Sequence, residues 1–201
     1  TPLEENGQKS FGLQIYTSGN LSDIVEFYLG VDAEFTKAYL KQTQFAETTG
    51  SAFLQATIPT GKHYDYSVNA GQIAPFFQIR KDLTDTISVA LGSRYEEMKY
   101  DYQNRMLSGR TRDDGTPCGF GGCRYSRPAS GINSYHNNSV DLNVSYTVND
   151  SFLLYFRLAD SFRAPQGTEI YRLQRGQETA DLASEESSSV ELGIKGRLSS
   201  T

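Results

Sequence analysis

Cys118 and Cys123, the only two cysteines of the chain, have four residues between them in the run Gly115-Thr116-Pro117-Cys118-Gly119-Phe120-Gly121-Gly122-Cys123. In an oxidising location, a pair joined by such a Gly/Pro-rich turn is expected to close a disulfide that staples a loop tip. Its use would be to preorganise an exposed loop for ligand capture or to protect it from proteolysis. A metal site is the weaker reading, because His63 and His136 are the only imidazoles and neither has zinc-ligand spacing to the cysteines. No Ser/His/Asp or Cys/His arrangement can be assembled, and the glycines form no phosphate-cradling loop. Catalytic residues, metal ligands and cofactors are therefore all expected to be absent.

The elements that must carry these residues are legible as a rhythm of short alternating segments, joined in turn by tight polar turns and long Gly-, Ser- and Tyr-rich loops. Segment 10–16 sets Phe11, Leu13 and Ile15 on one face. The next sets Val25, Phe27, Leu29, Val31, Ala33 and Phe35 against Glu26, Tyr28, Gly30, Asp32 and Glu34. Segment 64–79 changes parity, from Tyr66, Val68 and Ala70 to Ile73, Pro75, Phe77 and Ile79, and a bulge near Gly71 is expected to reconcile the two. Ile87, Val89, Leu91 and Tyr95 then oppose Arg94 and Glu96, and Val140, Leu142, Val144, Tyr146 and Val148 oppose Asp141 and Asn143. A sixth segment spans 152–162, and in the seventh Val190, Leu192, Ile194 and Leu198 alternate with Glu191, Gly193, Lys195 and Arg197.

Tight turns are expected around 18–20, 80–85 and 149–150, and external loops over 36–63, 103–137 and 163–186, with no helix needed. A side-chain period of two separates a lipid face from a wet face. The pattern predicts an all-β, antiparallel up-and-down transmembrane β-barrel, partial, of about seven strands. Arg94, Glu96, Glu191, Lys195 and Arg197 become lumen-wall charges, which are costly in lipid and easily held in a wet lumen. If Val25, Phe27, Leu29, Val89, Leu91, Val144 and Leu192 instead met in one dry interior, the fold would be a soluble sandwich.

No apolar run approaches the roughly 18 residues of a spanning helix. The net charge of −5, with both signs interspersed, gives no footprint for nucleic acid. The chain opens on Thr1-Pro2-Leu3-Glu4-Glu5, without initiator Met or signal, and ends on Ser199-Ser200-Thr201 directly after a strand, so an internal fragment is expected. Seven strands alone would leave two open edges in hydrocarbon, which also argues for a larger parent.

Four phrases carry a family resemblance: LYFRLADSFRAP at 154–165, TEIY at 168–171, DLASEESSSVELGIKG at 181–196 and APFFQIRKDLTDTISVALGSRYE at 74–96. The first three resemble the carboxy-terminal half of the barrel of TonB-dependent outer-membrane receptors, and the upstream phrase at 74–96 resembles the paired strands that the family writes as aromatic-x-Gln, turn, and then Gly-x-Arg-Tyr, all four in register. The chain departs from that pattern at Ala180-Asp181, where the family often has Asn-Pro. The resemblance implies that residues 1–201 are part of a receptor barrel, with plug domain, coupling box and terminal strands absent from this stretch. It implies a non-enzymatic parent in the Gram-negative outer membrane. That parent would import a scarce nutrient, a ferric siderophore foremost, with energy from the TonB complex acting through the plug. Haem, cobalamin, thiamine or oligosaccharide uptake, a passive porin-like channel and a surface adhesin remain alternatives.

Within that frame, Arg163-Ala164-Pro165 reads first as a strand terminus, with Glu169 as a partner for Arg163. Its functional reading turns the Arg163 fork toward the vestibule, where an anionic ferric chelate passes. Tyr100, Tyr102, Tyr125, Tyr135 and Tyr171 fall at strand tops or in loops. An aromatic girdle accounts for those at strand ends. Tyr125, Tyr135 and Tyr171, with Arg163 and Glu169, are the ligand-contact candidates.

Overall fold

Period-two alternation that runs for whole strands leaves the backbone one way to satisfy its hydrogen bonds, a ladder with the next strand. The computed structural model describes residues 2–177 and 181–197, and it consists mainly of such ladders. The strands are β1 (Leu3–Ser22), β2 (Val25–Gln44), β3 (Gly61–Asp82), β4 (Ile87–Asn104), β5 (Tyr125–Ser126), β6 (Gly131–Asn149), β7 (Phe152–Arg163), β8 (Leu173–Gln174) and β9 (Glu185–Gly196). Two short helices, α1 (Ala52–Thr57) and α2 (Gly167–Tyr171), lie in the long connections. Seven strands form one antiparallel meander in the order β1-β2-β3-β4-β6-β7-β9, while β5 and β8 pair in a separate two-stranded ribbon. Leu198 of the seventh alternating segment, Ala180 of the family departure and residues 199–201 lie outside the described residues.

The apolar face is not a core. Val25, Phe27, Leu29, Val89, Leu91, Val144 and Leu192 share no dry interior, and none of them is buried. Phe11, Leu13, Ile15, Phe35, Ile73, Val190 and Ile194 stand exposed on the same side of the sheet. In β2 the apolar belt runs from Val25 to Phe35, the roughly 9–11 residues that a tilted strand needs to cross hydrocarbon. The strands continue well above it, so that residues 61–70 of β3 project beyond the belt on the long-loop side.

Several sequence expectations are corrected here. β1 begins at Leu3 and β2 reaches Gln44, so the first long connection is 45–60, and the first turn sits at 23–24. Above the belt neither face must be apolar, so alternation fades while the ladder continues. The expected bulge near Gly71 is absent: β2 and β3 stay in register from Thr36↔Ala70 through Ala33↔Ile73. The parity change has another origin. Tyr66 and Val68 lie on the polar face but above the belt, where loops cover them, whereas Ile73, Phe77 and Ile79 lie in the belt on the other face. Two helices occur where none was expected, each a single turn or so within a loop.

The tight connections have local chemistry. Asn149 Oδ1 accepts from the backbone N–H groups of Ser151 and Phe152 at 2.9 and 3.0 Å, an Asx turn between β6 and β7. Thr84 Oγ1 accepts likewise from Thr86 and Ile87 at 3.2 and 3.0 Å, between β3 and β4. Among the described residues, β1 and β9 each have a strand neighbour on one side only.

Candidate functional site

The polar face of the sheet carries several hydrogen-bonded clusters. Arg94 of β4 pairs with Asp32 of β2, whose other oxygen accepts from Gln14 Nε2 of β1 at 2.6 Å. Arg94 Nη2 also lies 3.5 Å from Glu96 Oε2, and Gln72 Nε2 of β3 donates to that carboxylate at 2.5 Å. One network thus crosses four strands. Arg157 donates to Asp141 at 2.5 Å, Tyr155 to Glu191 at 2.5 Å, and the Lys195 ammonium stands 5.1 Å over the Tyr155 ring. Arg197 lies one residue past β9, with its backbone N–H on the Ser151 carbonyl at 2.9 Å. Tyr16, Tyr28 and Phe76 add an aromatic patch to this face, with centroids 5.0 and 5.5 Å apart in succession. Their places at polar-face positions give the sequence no mark of this patch.

Over the long-loop end of this face the three external connections fold into a cap, and here the buried core lies. It joins Leu40, Tyr64, Tyr66, Val68 and Tyr102 of the strands to Cys118, Cys123, Tyr125, Ile170 and Tyr171 of the loops. Tyr171 stacks flat on Tyr102 at 4.1 Å and donates its hydroxyl to Asn133 Oδ1 at 2.8 Å. Tyr64 donates to the Leu173 carbonyl at 2.8 Å, and Tyr100 to that of Pro165 at 3.0 Å. Tyr100 and Tyr102 therefore belong to the lumen-side core and not to a lipid-facing girdle. Tyr39, Tyr95 and Tyr146 stand on the lipid side, all exposed. Tyr125 and Tyr171 are buried and present no surface to a ligand, while Tyr135 is half-buried, edge-on to Tyr100 at 6.1 Å. Burial raises the phenol pKa of both Tyr125 and Tyr171.

Arg163 ends β7 and is committed to carboxylates. Its Nε donates to Glu185 at 3.0 Å, and its two terminal nitrogens engage both oxygens of Glu169 at 3.2 and 3.1 Å. Glu169 also accepts from the Gln166 backbone N–H at 2.7 Å, so the guanidinium fastens the first turn of α2 to the strand ends. The Arg163 hydrogen bonds, then the Gln166 N–H, hold the Glu169 carboxyl below its ordinary range.

Cys118 and Cys123 are joined by a disulfide, with Cα atoms 4.8 Å apart. The staple holds a tight turn that docks on both other loops: Gly119 N–H donates to Ala56 O and Arg124 N–H to Thr57 O, while Arg175 N–H donates to Arg124 O, at 3.1, 2.9 and 2.9 Å. The residue that sequence reasoning missed is Arg127, which is 1 % exposed. Its guanidinium donates to the carbonyls of Leu107, His63 and Thr111 at 2.7, 3.1 and 2.8 Å and to Thr111 Oγ1 at 2.9 Å. Nothing in its own neighbourhood of sequence distinguishes it from the other loop arginines. His63 stacks on Tyr125 at 4.4 Å and shares a 2.7 Å hydrogen bond with the Pro59 carbonyl. Among the described residues no cluster of His, Cys, Asp or Glu is arranged to hold a metal ion.

Comparison with known proteins agrees with this geometry. Residues 3–201 match the family described as TonB dependent receptor-like, β-barrel. Among solved structures, the copper transporter OprC superposes with a TM-score of 0.69 at 13% identity, covering 96% of this chain and 28% of its own. The ferric yersiniabactin uptake receptor FyuA from Yersinia pestis superposes at 0.61 with 17% identity, covering 98% of this chain and 27% of its own. The chain thus spans little more than a quarter of the length of either. No curated protein sequence matches significantly. With an exposed apolar belt on one face, a charged wall on the other and the family pattern along nearly its whole length, the chain belongs to the TonB-dependent receptor β-barrels of the outer membrane, a non-enzymatic family.

Proposed function

We propose that the chain is one sector of a longer barrel wall, whose plug and remaining strands lie elsewhere in the same protein, and that the whole imports a scarce nutrient with energy coupled through TonB. The observation that carries this reading is the pairing of a belt suited to lipid with a lumen wall whose charges are fixed in place. Such a wall suits a pathway that is gated by a plug and lined with side chains held ready to meet it. The unpaired outer edges of β1 and β9 support the longer barrel, since open ladders in hydrocarbon are costly.

The cargo is proposed to be a metal chelate, a ferric siderophore foremost, because the two structural relatives are a copper transporter and a ferric yersiniabactin uptake receptor. Arg163 gives no support to an anionic chelate, since two glutamates already occupy its donors. Deleting the gene and measuring growth and radiolabelled metal uptake under iron and copper limitation tests the cargo. Loss of ferric-chelate uptake, with iron-free chelator inert, is the expected result, and unchanged iron uptake rejects it. Uptake that persists without TonB rejects active transport in favour of a passive channel.

A further inference from the structure

Immediately above the apolar belt, on its lipid-facing side, Lys9 of β1 and Lys37 of β2 are directly opposed across the strand pair. Like charges at such positions, about 5 Å apart between backbones, destabilise a sheet unless something outside neutralises them. Nothing among the described residues does so. Both lysines are exposed, and among the described residues neither makes an ion pair. On the same face, Glu5 is held by Lys41 at 3.1 Å, and Asp101, two strands beyond Lys37 in the same row, accepts from Gln103 at 2.7 Å. Lys99 stands one row lower on β4, between Glu97 and Asp101 of its own strand face.

The surroundings are interfacial. In the row below, Phe11 and Phe35 face each other, 68 % and 64 % exposed, as the top of the belt. In the row above, the Tyr39 ring lies across Gly7, where a Cβ would come within 2.9 Å of it, so glycine is needed for the ring to lie flat. Exposed aromatics, two lysines and a phenol thus follow one another up a single face within a few residues.

We propose that Lys9 and Lys37 form a binding site for the phosphate groups of the glycolipid headgroups of the outer leaflet, with acyl chains lying against Phe11 and Phe35. The long loops mark this end as the external one, and the site is continuous with the membrane-contact belt. Two unpaired ammonium groups at headgroup height complement a phosphorylated saccharide. The inference rests on the outer-membrane location and not on the transport reading.

Native mass spectrometry of the full-length protein with bis-phosphorylated lipid A, and with the same glycolipid dephosphorylated, tests it. The wild type is expected to retain the phosphorylated form by roughly tenfold or more over the dephosphorylated one, and K9Q/K37Q to abolish that preference while K9R/K37R keeps it. Equal retention of both lipids by the wild type overturns the proposal, and this readout needs no variant to fold. A preference that survives in a K9Q/K37Q protein with normal heat-modifiable mobility overturns it equally. So does inorganic phosphate binding as tightly as the lipid.

Discussion

Arg127 shows how much one side chain can hold in a loop assembly. Its donors tie the His63 carbonyl of β3 to the Leu107 and Thr111 carbonyls of the second long loop, so truncation cuts three links and leaves the buried His63 acceptor unpaired. Arg127→Ala is expected to cost the cap on the order of 3 kcal/mol. Limited proteolysis should then cut within 105–130 while the barrel keeps its heat-modifiable gel shift; an uncut cap would refute this role. His63, beside it, adds a pH dependence. Burial lowers its pKa most, and the Arg127 charge lowers it further against the Pro59 hydrogen bond and the Asp113 charge. The folded cap therefore takes up this proton less readily than the unfolded chain. Its contribution is complete above the ordinary histidine value of about 6.5 and is lost as pH falls toward the lower folded value. Protease sensitivity of the cap should rise on acidification below about pH 6.5, and His63→Gln should flatten that rise.

At the scale of elements, the cap is built from short pieces that cannot stand alone. α1 and α2 are too short to be stable helices in isolation, so their order comes from what holds them. For α2 the holders are the burial of Ile170 and Tyr171 and the Arg163 fork on Glu169. Arg163→Ala and Glu169→Gln should loosen the same segment, 164–177, to the same extent in hydrogen exchange, and the double variant should add nothing. If Arg163 served a ligand instead, Glu169→Gln would leave uptake intact where Arg163→Ala lowered it. For the turn over α1 the holder is the disulfide. Closing so small a loop contributes about 2 kcal/mol, and reduction or C118A/C123A should speed exchange at the amides of Gly119 and Arg124, which dock on α1. Unchanged exchange would mean that the turn holds its shape without the staple.

For the whole molecule the decisive feature is the pair of open edges. A seven-stranded meander with belts exposed at Val190, Leu192 and Ile194 on its last strand presents both unpaired ladder groups and apolar surface. Residues 1–201 expressed alone in detergent should fail to give a heat-modifiable monomer and should instead associate, whereas the full-length protein gives one. A stable, monomeric, protease-resistant 201-residue product would contradict the proposal that further strands complete the barrel.

The seven strands and their two faces were legible in the sequence, because a bilayer imposes period-two chemistry on every residue within it and that constraint is strictly local. Leu29, Leu91 and Leu192 declared their side of the sheet by position alone. Above the belt the constraint lapses. The upper halves of β1 and β2 carried no alternation to read, and the parity change in β3 suggested a bulge where there is only a change of environment. The cap was invisible for a different reason. The stacking of Tyr171 on Tyr102, the reach of Arg127 to His63 and Leu107, and the docking of the stapled turn on α1 join residues far apart in the chain. Such partners are chosen by how the loops pack over one another, so the chain alone settled which face meets lipid, and only the tertiary structure decided which tyrosines and arginines are buried.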